Sequence, residues 1–234
     1  MKVTREFSTR VQFILDELVP PILRDSSWFM FLPMKLVLRQ SSRDFMTFKN
    51  DVFHMSESEF SDLYARTASS NMLQGDTDLN HACVEKLRQL IVDENVLEVG
   101  CGRGFLSNLL SERNTVAACD IAIDPALVAK YPNVSFTEAN IESLPFENGQ
   151  FDVVVCTHTL EHVQHLGAAM AELRRVARKQ LIVVVPRQRP YKYTFSLHVH
   201  FFPYRWALES ALALDRHAEV YRLDDWLIVE NQHP

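Results

Sequence analysis

The chain has 234 residues, 47% hydrophobic and 23% charged. That balance is globular, and the length suits one domain of ~150 residues with an extension. The formal net charge of −6 argues against a protein held on a nucleic-acid backbone by a basic face. The four cysteines, Cys83, Cys101, Cys119 and Cys156, form no C-x-x-C pair and show no zinc spacing. They read as small buried side chains in a reducing compartment, with no metal site expected.

Residues 1–90 read as a helical extension or lid, ahead of a main domain at 91–234. The opening Met1-Lys2-Val3-Thr4-Arg5-Glu6 lacks the apolar core of a signal peptide, so a cytoplasmic location is expected. Phe7, Val11, Ile14, Leu15 and Leu18 recur at helical spacing, and Pro20-Pro21 ends that helix. The segment Trp28–Leu38 is unusually apolar but broken by Pro33 and Lys35, and it falls short of the ~20 residues of a membrane span. Three readings suit it: a helix packed on the main domain, a lid over an apolar acceptor, or a surface that touches lipid. Residues 43–75 are mixed, with Gly75-Asp76 as a turn, and His81–Val92 forms an amphipathic helix leading into the core.

From residue 95 short apolar runs alternate with helical stretches. Strands are predicted at Val96–Val99, Thr115–Cys119, Val134–Thr137, Val153–Cys156 and Leu181–Val185. Helices are predicted near Phe105–Ser111, Pro125–Lys130 and His165–Arg178. This alternation implies right-handed crossovers and a parallel sheet covered on both faces. The tail adds a helix over Pro203–Leu214 and strand-like runs at Glu219–Leu223 and Trp226–Val229, which suit an antiparallel edge hairpin. The fold class is therefore α/β: a Rossmann-like, doubly wound, mostly parallel seven-stranded sheet with an antiparallel edge hairpin and a helical N-terminal extension.

The informative segment is Val96-Leu97-Glu98-Val99-Gly100-Cys101-Gly102-Arg103-Gly104-Phe105. A buried strand runs into three glycines at alternate positions and then a helix. Glycine permits positive φ and close backbone approach to a ligand. Such a turn presents a ligand at the carboxyl end of the sheet. Asp120 closes the second strand, where a carboxylate accepts hydrogen bonds from both ribose hydroxyls. A dinucleotide fingerprint requires G-x-G-x-x-G, whereas here Phe105 stands where the third glycine belongs. Glu98 lies two residues before the first glycine, which suits a ligand ammonium better than a pyrophosphate. Both features favour S-adenosylmethionine over NAD.

With these residues in place, the stretch from about Asn95 to Pro186 resembles the class I S-adenosylmethionine-dependent methyltransferases, in particular the ubiquinone/menaquinone-type enzymes of the methyltransferase type 11 group. Glu98–Gly104 matches that family's first motif and Asp120 its ribose-binding acid. Asn140-Ile141-Glu142-Ser143-Leu144-Pro145-Phe146 matches the segment flanking adenine. Phe151–Cys156 followed by Leu160-Glu161-His162-Val163 matches the fourth strand and its loop. The resemblance implies that Gly100, Cys101, Gly102 and Gly104 pass the methionine portion by backbone contact. It places Glu98 near the amino end, Asp120 on the ribose and Ile121 against adenine. The Asn140 side chain and Ile141 amide would read the adenine edge, with Glu142 in the same cofactor-binding segment, and the Thr157 backbone would approach the methionine ammonium. Asn140 departs from the family's usual Asp, which removes charge assistance at that contact. Ala177-Arg178-Lys179-Gln180 replaces the usual Pro-Gly-Gly turn, so a different loop is expected there.

Methyl transfer asks the protein mainly to align acceptor, methyl and sulfur, and a hydroxyl acceptor gains from a general base. Histidines suit that task, and His158, His198 and His200 are the catalytic candidates; His162 reads as a histidine at the start of a helix. The aromatic stretch Tyr191–His200 falls where such folds place acceptor loops. The expected activity is methyl transfer from S-adenosylmethionine to a small-molecule acceptor, a hydroxyl of a sugar or natural-product metabolite, leaving S-adenosylhomocysteine. The alternatives are a protein or RNA methyltransferase, kept open by Arg174, Arg175, Arg178, Lys179, Arg187 and Arg189, and a non-catalytic module that binds the cofactor. A homodimer is compatible with the sequence.

Overall fold

The computed structural model describes residues 14, 18–38, 41–68, 77–193 and 195–232. The chain divides into two compact units, Met1–Gly75 with Arg189–Val199, and Asp76–Gln188 with His200–Pro234.

The larger unit is built on a sheet of seven strands: β1 (Asn95–Val99), β2 (Thr115–Asp120), β3 (Val134–Glu138), β4 (Phe151–Thr157), β5 (Ala177–Val185), β6 (Glu219–Leu223) and β7 (Asp225–Asn231). Their order is β3-β2-β1-β4-β5-β7-β6. The first five run parallel, and β7 pairs antiparallel with both β5 and β6. The chain therefore moves outward in one direction through β1, β2 and β3, then restarts beside β1 at β4. That reversal is the topological switch point, and open α/β sheets bind ligands beyond the carboxyl ends of the strands at such a point, here β1 and β4.

Strand periodicity decides which side chains face which layer. Leu97, Val99, Val154, Cys156, Leu181 and Val183 point to one face, where Met170 and Leu173 cover them. Val96, Val153, Val155, Ile182 and Val184 point to the other, where Cys83, Leu87, Leu106 and Leu110 lie. With both faces covered, β4 is buried at every position, and its Phe-Asp-Val-Val-Val-Cys-Thr run reads as near-continuous hydrophobics, as a central parallel strand should. Each such side chain contributes ~1.5–3 kcal/mol relative to exposure, so Val155→Asp in this strand would unfold the unit.

The covering helices of this unit have local causes. The helix at His81–Leu90 is capped by Asn80, whose side chain accepts from the Cys83 amide. The helix at Pro125–Lys130 starts on Asp124 with proline in its first turn. The helix at Leu166–Val176 stops two residues before the expected Arg178, because Ala177 already pairs with Phe151 and a register shift follows. Strand β5 thus begins at Ala177, and the segment at 177–180 expected as a loop is extended chain. The last helix, Arg205–Ala211, is shorter than the expected Pro203–Leu214. The larger unit also begins before residue 90, because Leu79, Cys83, Leu87 and Ile91 belong to its core.

We number the helices in chain order: α1 (Pro21–Arg24), α2 (Ser27–Leu38), α3 (Ser42–Asp51), α4 (Glu57–Ala68), α5 (His81–Leu90), α6 (Phe105–Leu110), α7 (Pro125–Lys130), α8 (Leu166–Val176) and α9 (Arg205–Ala211). The smaller unit comprises α1 to α4 with residues 189–199. Met30, Met34, Leu38, Phe45, Phe48, Val52 and Leu63 form its core together with Tyr193 and Leu197. Segment 189–199 is tied down by polar contacts as well. Lys49 Nζ donates to the Tyr191 carbonyl, the Lys192 amide donates to Asp25 at 2.7 Å, and the Arg24 guanidinium lies 4.1 Å over the Tyr191 ring. Burial first, and the Arg24 charge second, push the Lys49 pKa down to about 7. Tyr193 therefore fills this core, and Tyr191 is buried under the Arg24 guanidinium. Of the predicted N-terminal stripe, Phe7, Val11 and Leu15 lie outside the described residues, as does the Gly75-Asp76 turn, while Ile14 and Leu18 are exposed.

Candidate active site

The site begins where β1 ends. Gly100, Gly102 and Gly104 all have positive φ, at 77°, 50° and 70°. A Cβ built on Gly100 would stand 2.0 Å from Thr159 Oγ1, so this glycine is required by the loop that follows β4. Gly102 is required for a different reason: nothing lies within 4 Å of its missing Cβ, but its backbone turns left-handed over open space. The Gly100 and Cys101 amides donate to the Cys119 carbonyl at 2.8 and 3.1 Å, which stitches the turn to the end of β2.

Two carboxyls face this turn from neighbouring strands. Asp120, last in β2, accepts from the Gly102 amide at 2.8 Å. Its pKa is raised by burial, partly countered by the backbone amides of Gly102, Ala122 and Ile121. Glu98, in β1, is 2% exposed and accepts from the Ser107 hydroxyl. Burial, with the Asp120 charge adding to it, pushes its pKa up to about 8, against the opposing Ser107 hydrogen bond. Two desolvated carboxyls side by side repel each other when ionised, and a cation placed between them stabilises both charged forms. The donor set thus fits a ligand carrying positive charge and a pentose, and the open space at Gly102 leaves room for its backbone approach.

The segment expected at adenine is folded on itself. Asn140 Oδ1 accepts from the Glu142 amide at 2.9 Å, so this oxygen closes a local turn. The Glu142 carboxylate is turned to His165 at the start of α8, accepting from its amide at 2.8 Å and meeting Nδ1 at 2.7 Å. Glu142 thus ties this segment to the start of α8. Ile141 is half-buried against the core beside Leu144, and Ile121 is half-buried just past Asp120.

After Thr157, the last residue of β4, the chain turns at His158. The Thr157 carbonyl accepts from the Thr159 hydroxyl at 3.0 Å, and His158 takes φ of 50°. The His158 ring lies between two carboxylates, with Nδ1 3.4 Å from Glu161 and Nε2 3.5 Å from Asp225. Burial works to lower its pKa, but the Asp225 and Glu161 carboxylates outweigh it and push the value up to about 10. The two carboxylates thus favour the protonated ring, which counts against the general-base role expected of His158 from sequence. Asp225 in turn accepts from Asn80 Nδ2 at 2.9 Å, linking the cap of α5, the start of β7 and the β4 loop in one polar network. Glu161 was legible only as part of a matching string, and Asp225 carried no sequence signal, because its partner in space lies far away along the chain.

His200 differs from His158. Its Nε2 is 2.9 Å from the Val163 carbonyl and its amide donates to the Glu161 carbonyl at 3.1 Å. A carbonyl only accepts, so Nε2 carries the proton and Nδ1 is the basic nitrogen. Burial lowers its pKa below the usual imidazole range. His162 donates its amide to the Thr159 carbonyl at 2.9 Å and is half-buried. His198 falls in the smaller unit, with segment 189–199.

The glycine turn and the acid at the end of β2 lie within residues 97–185, which match the family described as "Methyltransferase domain". Among relatives, an uncharacterized protein of Methanocaldococcus jannaschii is 40% identical over 38% of this chain and 40% of its own length. A ubiquinone biosynthesis O-methyltransferase of Albidiferax ferrireducens is 34% identical over 36% of this chain and 35% of its own length. The chain thus spans well under half the length of these curated relatives. The fold is shared with the 1,6-didemethyltoxoflavin-N1-methyltransferase of Burkholderia thailandensis, a structure with bound S-adenosylhomocysteine. That likeness has a TM-score of 0.58 and 16% identity, over 77% of this chain and 92% of that one. No helix among the described residues is long and apolar enough to cross a membrane.

Proposed function

We propose that this chain transfers a methyl group from S-adenosylmethionine to a hydroxyl of a small-molecule acceptor, with sugar and natural-product metabolites as the class to screen. The observation that carries the reading is the pairing of Glu98 and Asp120 across the left-handed glycine turn at the sheet's switch point. When bound, the cofactor supplies an electrophilic methyl on a sulfonium. In this reading Asp120 holds the pentose, the Glu98 carboxyl faces the amino end, and the turn at Gly102 lies against the methionine portion. The imidazolium of His158, held by Glu161 and Asp225, fixes the loop whose Thr159 packs on Gly100. His200 supplies the base: its neutral ring, oriented by Val163, takes the hydroxyl proton at Nδ1.

Two facts support a small acceptor over a nucleic acid. The Albidiferax relative is a ubiquinone biosynthesis O-methyltransferase. The basic stretch that kept RNA open is largely neutralised: Arg174, Arg175, Arg178 and Lys179 pair with Glu230, Glu172, Asp152 and Glu94. Isothermal titration tests the cofactor half. S-adenosylmethionine should bind the native chain and fail to bind Asp120→Ala, while Asp120→Asn, which keeps an acceptor for the Gly102 amide, should bind weakly. Binding of NAD in its place would refute the reading.

A further inference from the structure

Helix α2 is apolar on two sides. Met30, Met34 and Leu38 are buried in the core of the smaller unit. The opposite side carries Trp28 at 73% exposure, Phe31, Leu32 and Leu36 at 71%, and the preceding α1 adds Ile22 at 82%. A helix on a water-facing surface normally turns charged residues outward. Here the one charged side chain among them, Lys35, holds its ammonium 5.5 Å over the Phe31 ring, with its stem laid along apolar surface.

We propose that this face of α2 seats the chain on the surface of an anionic lipid bilayer. Three observations select that occupant. The first is charge: Lys35, Arg39 and Arg43 follow one another between Asp25 and Asp44 with no carboxylate among them, within a chain of net charge −6. A local cationic stretch in an acidic protein is complementary to anionic headgroups, which attract each nearby Lys or Arg. The second is side-chain type: exposed Trp and Phe beside Leu are the residues that settle at the headgroup boundary. The third is size. A 12-residue helix is ~18 Å long and ~10 Å wide, a projected strip far below the ~800 Å² per partner of a stable dimer. The same length is too short to span a bilayer, so the helix lies along the surface. This assignment is independent of the methyl-transfer reading, since α2 lies outside the segment matched to the methyltransferase family.

Vesicle flotation with the full chain tests it, using phosphatidylcholine vesicles and vesicles of phosphatidylcholine mixed with phosphatidylglycerol. The chain should float with the mixed vesicles, with a blue shift of tryptophan fluorescence that Trp28→Phe removes, and should release as salt rises. The double variant Trp28→Ser/Leu36→Ser should lose roughly tenfold or more of the bound fraction. Both positions are exposed, so its melting curve should match that of the native chain. No flotation with either vesicle overturns the proposal, and so does equal flotation with both. A concentration-dependent dimer that the double variant dissolves, without vesicle binding, assigns the face to a second copy and overturns it as well.

Discussion

The close approach of Gly100 to Thr159 makes a sharp test of the site. In Gly100→Ala the new Cβ would meet Thr159 Oγ1 at 2.0 Å, Cγ2 at 2.7 Å and Cβ at 2.8 Å, all inside the distance real Cβ atoms keep. The φ of 77° adds a left-handed penalty of about 1–2 kcal/mol for a residue with a Cβ. Relief requires moving the β4 loop, and forcing a methyl into packed surroundings costs a further ~1–3 kcal/mol. Gly102→Ala is the internal control: its φ of 50° carries the backbone penalty, but nothing lies within 4 Å of the added atom. Urea denaturation should therefore show Gly100→Ala losing roughly 2–5 kcal/mol and Gly102→Ala about 1–2 kcal/mol. Titration with S-adenosylmethionine should weaken more for Gly100→Ala, because the displaced loop carries Thr157 and His158. Adding Thr159→Ala should restore part of the loss, since it removes the two side-chain atoms beyond Cβ and leaves one contact at 2.8 Å. Equal destabilisation by the two glycine variants, or no recovery in the double variant, would refute the reasoning.

Glu98 stays protonated up to about 8 through burial, so binding of a cationic cofactor beside it should release a proton near neutral pH. Calorimetry in two buffers of different ionisation enthalpy measures that proton, and Glu98→Gln should abolish the difference. His158 has the opposite chemistry but the same sign of linkage. A folded pKa of about 10 gives stability that is full below the ordinary imidazole value of 6.5 and is lost as pH climbs through 10. Asp225→Asn should lower the His158 pKa, visible by NMR titration, and should flatten the alkaline fall of the melting temperature. For His200, the lowered pKa places the acid limb of the rate profile below the usual imidazole range, and His200→Asn should cut turnover by about 10²–10⁴ with little change in cofactor affinity. Retained turnover in that variant would remove His200 from the chemistry.

What the sequence made legible follows the backbone. The strand pattern, the glycine turn and Asp120 are local: a period of two, three alternate glycines and one acid at a strand end need no knowledge of distant contacts. The edge hairpin of β6 and β7 was readable for the same reason. The roles of single side chains were less legible, because tertiary partners set them. The string Asn140-Ile141-Glu142 matches a cofactor segment, yet Asn140 closes its own turn and Glu142 is drawn to His165, both by hydrogen bonds that spacing does not encode. Tyr191 and Tyr193 read as a polar loop until Lys49, Asp25 and Arg24 are seen to anchor that segment in the core of the smaller unit.

The two histidines show why residue type alone could not assign the base. His158 lies on the loop after β4, and His200, on the segment after β5, bonds to that loop; burial of each ring by itself favours the neutral form. They part because of what approaches each ring: His158 meets two carboxylates and keeps its proton, whereas His200 meets a backbone carbonyl and stays neutral. Asp225 decides the first case, and it reaches His158 only because β7 runs antiparallel beside β5 and starts at the carboxyl edge of the sheet. The surroundings thus separate the two rings: carboxylates favour the cation at His158, and burial against a carbonyl favours the neutral ring that the proposed base role of His200 requires.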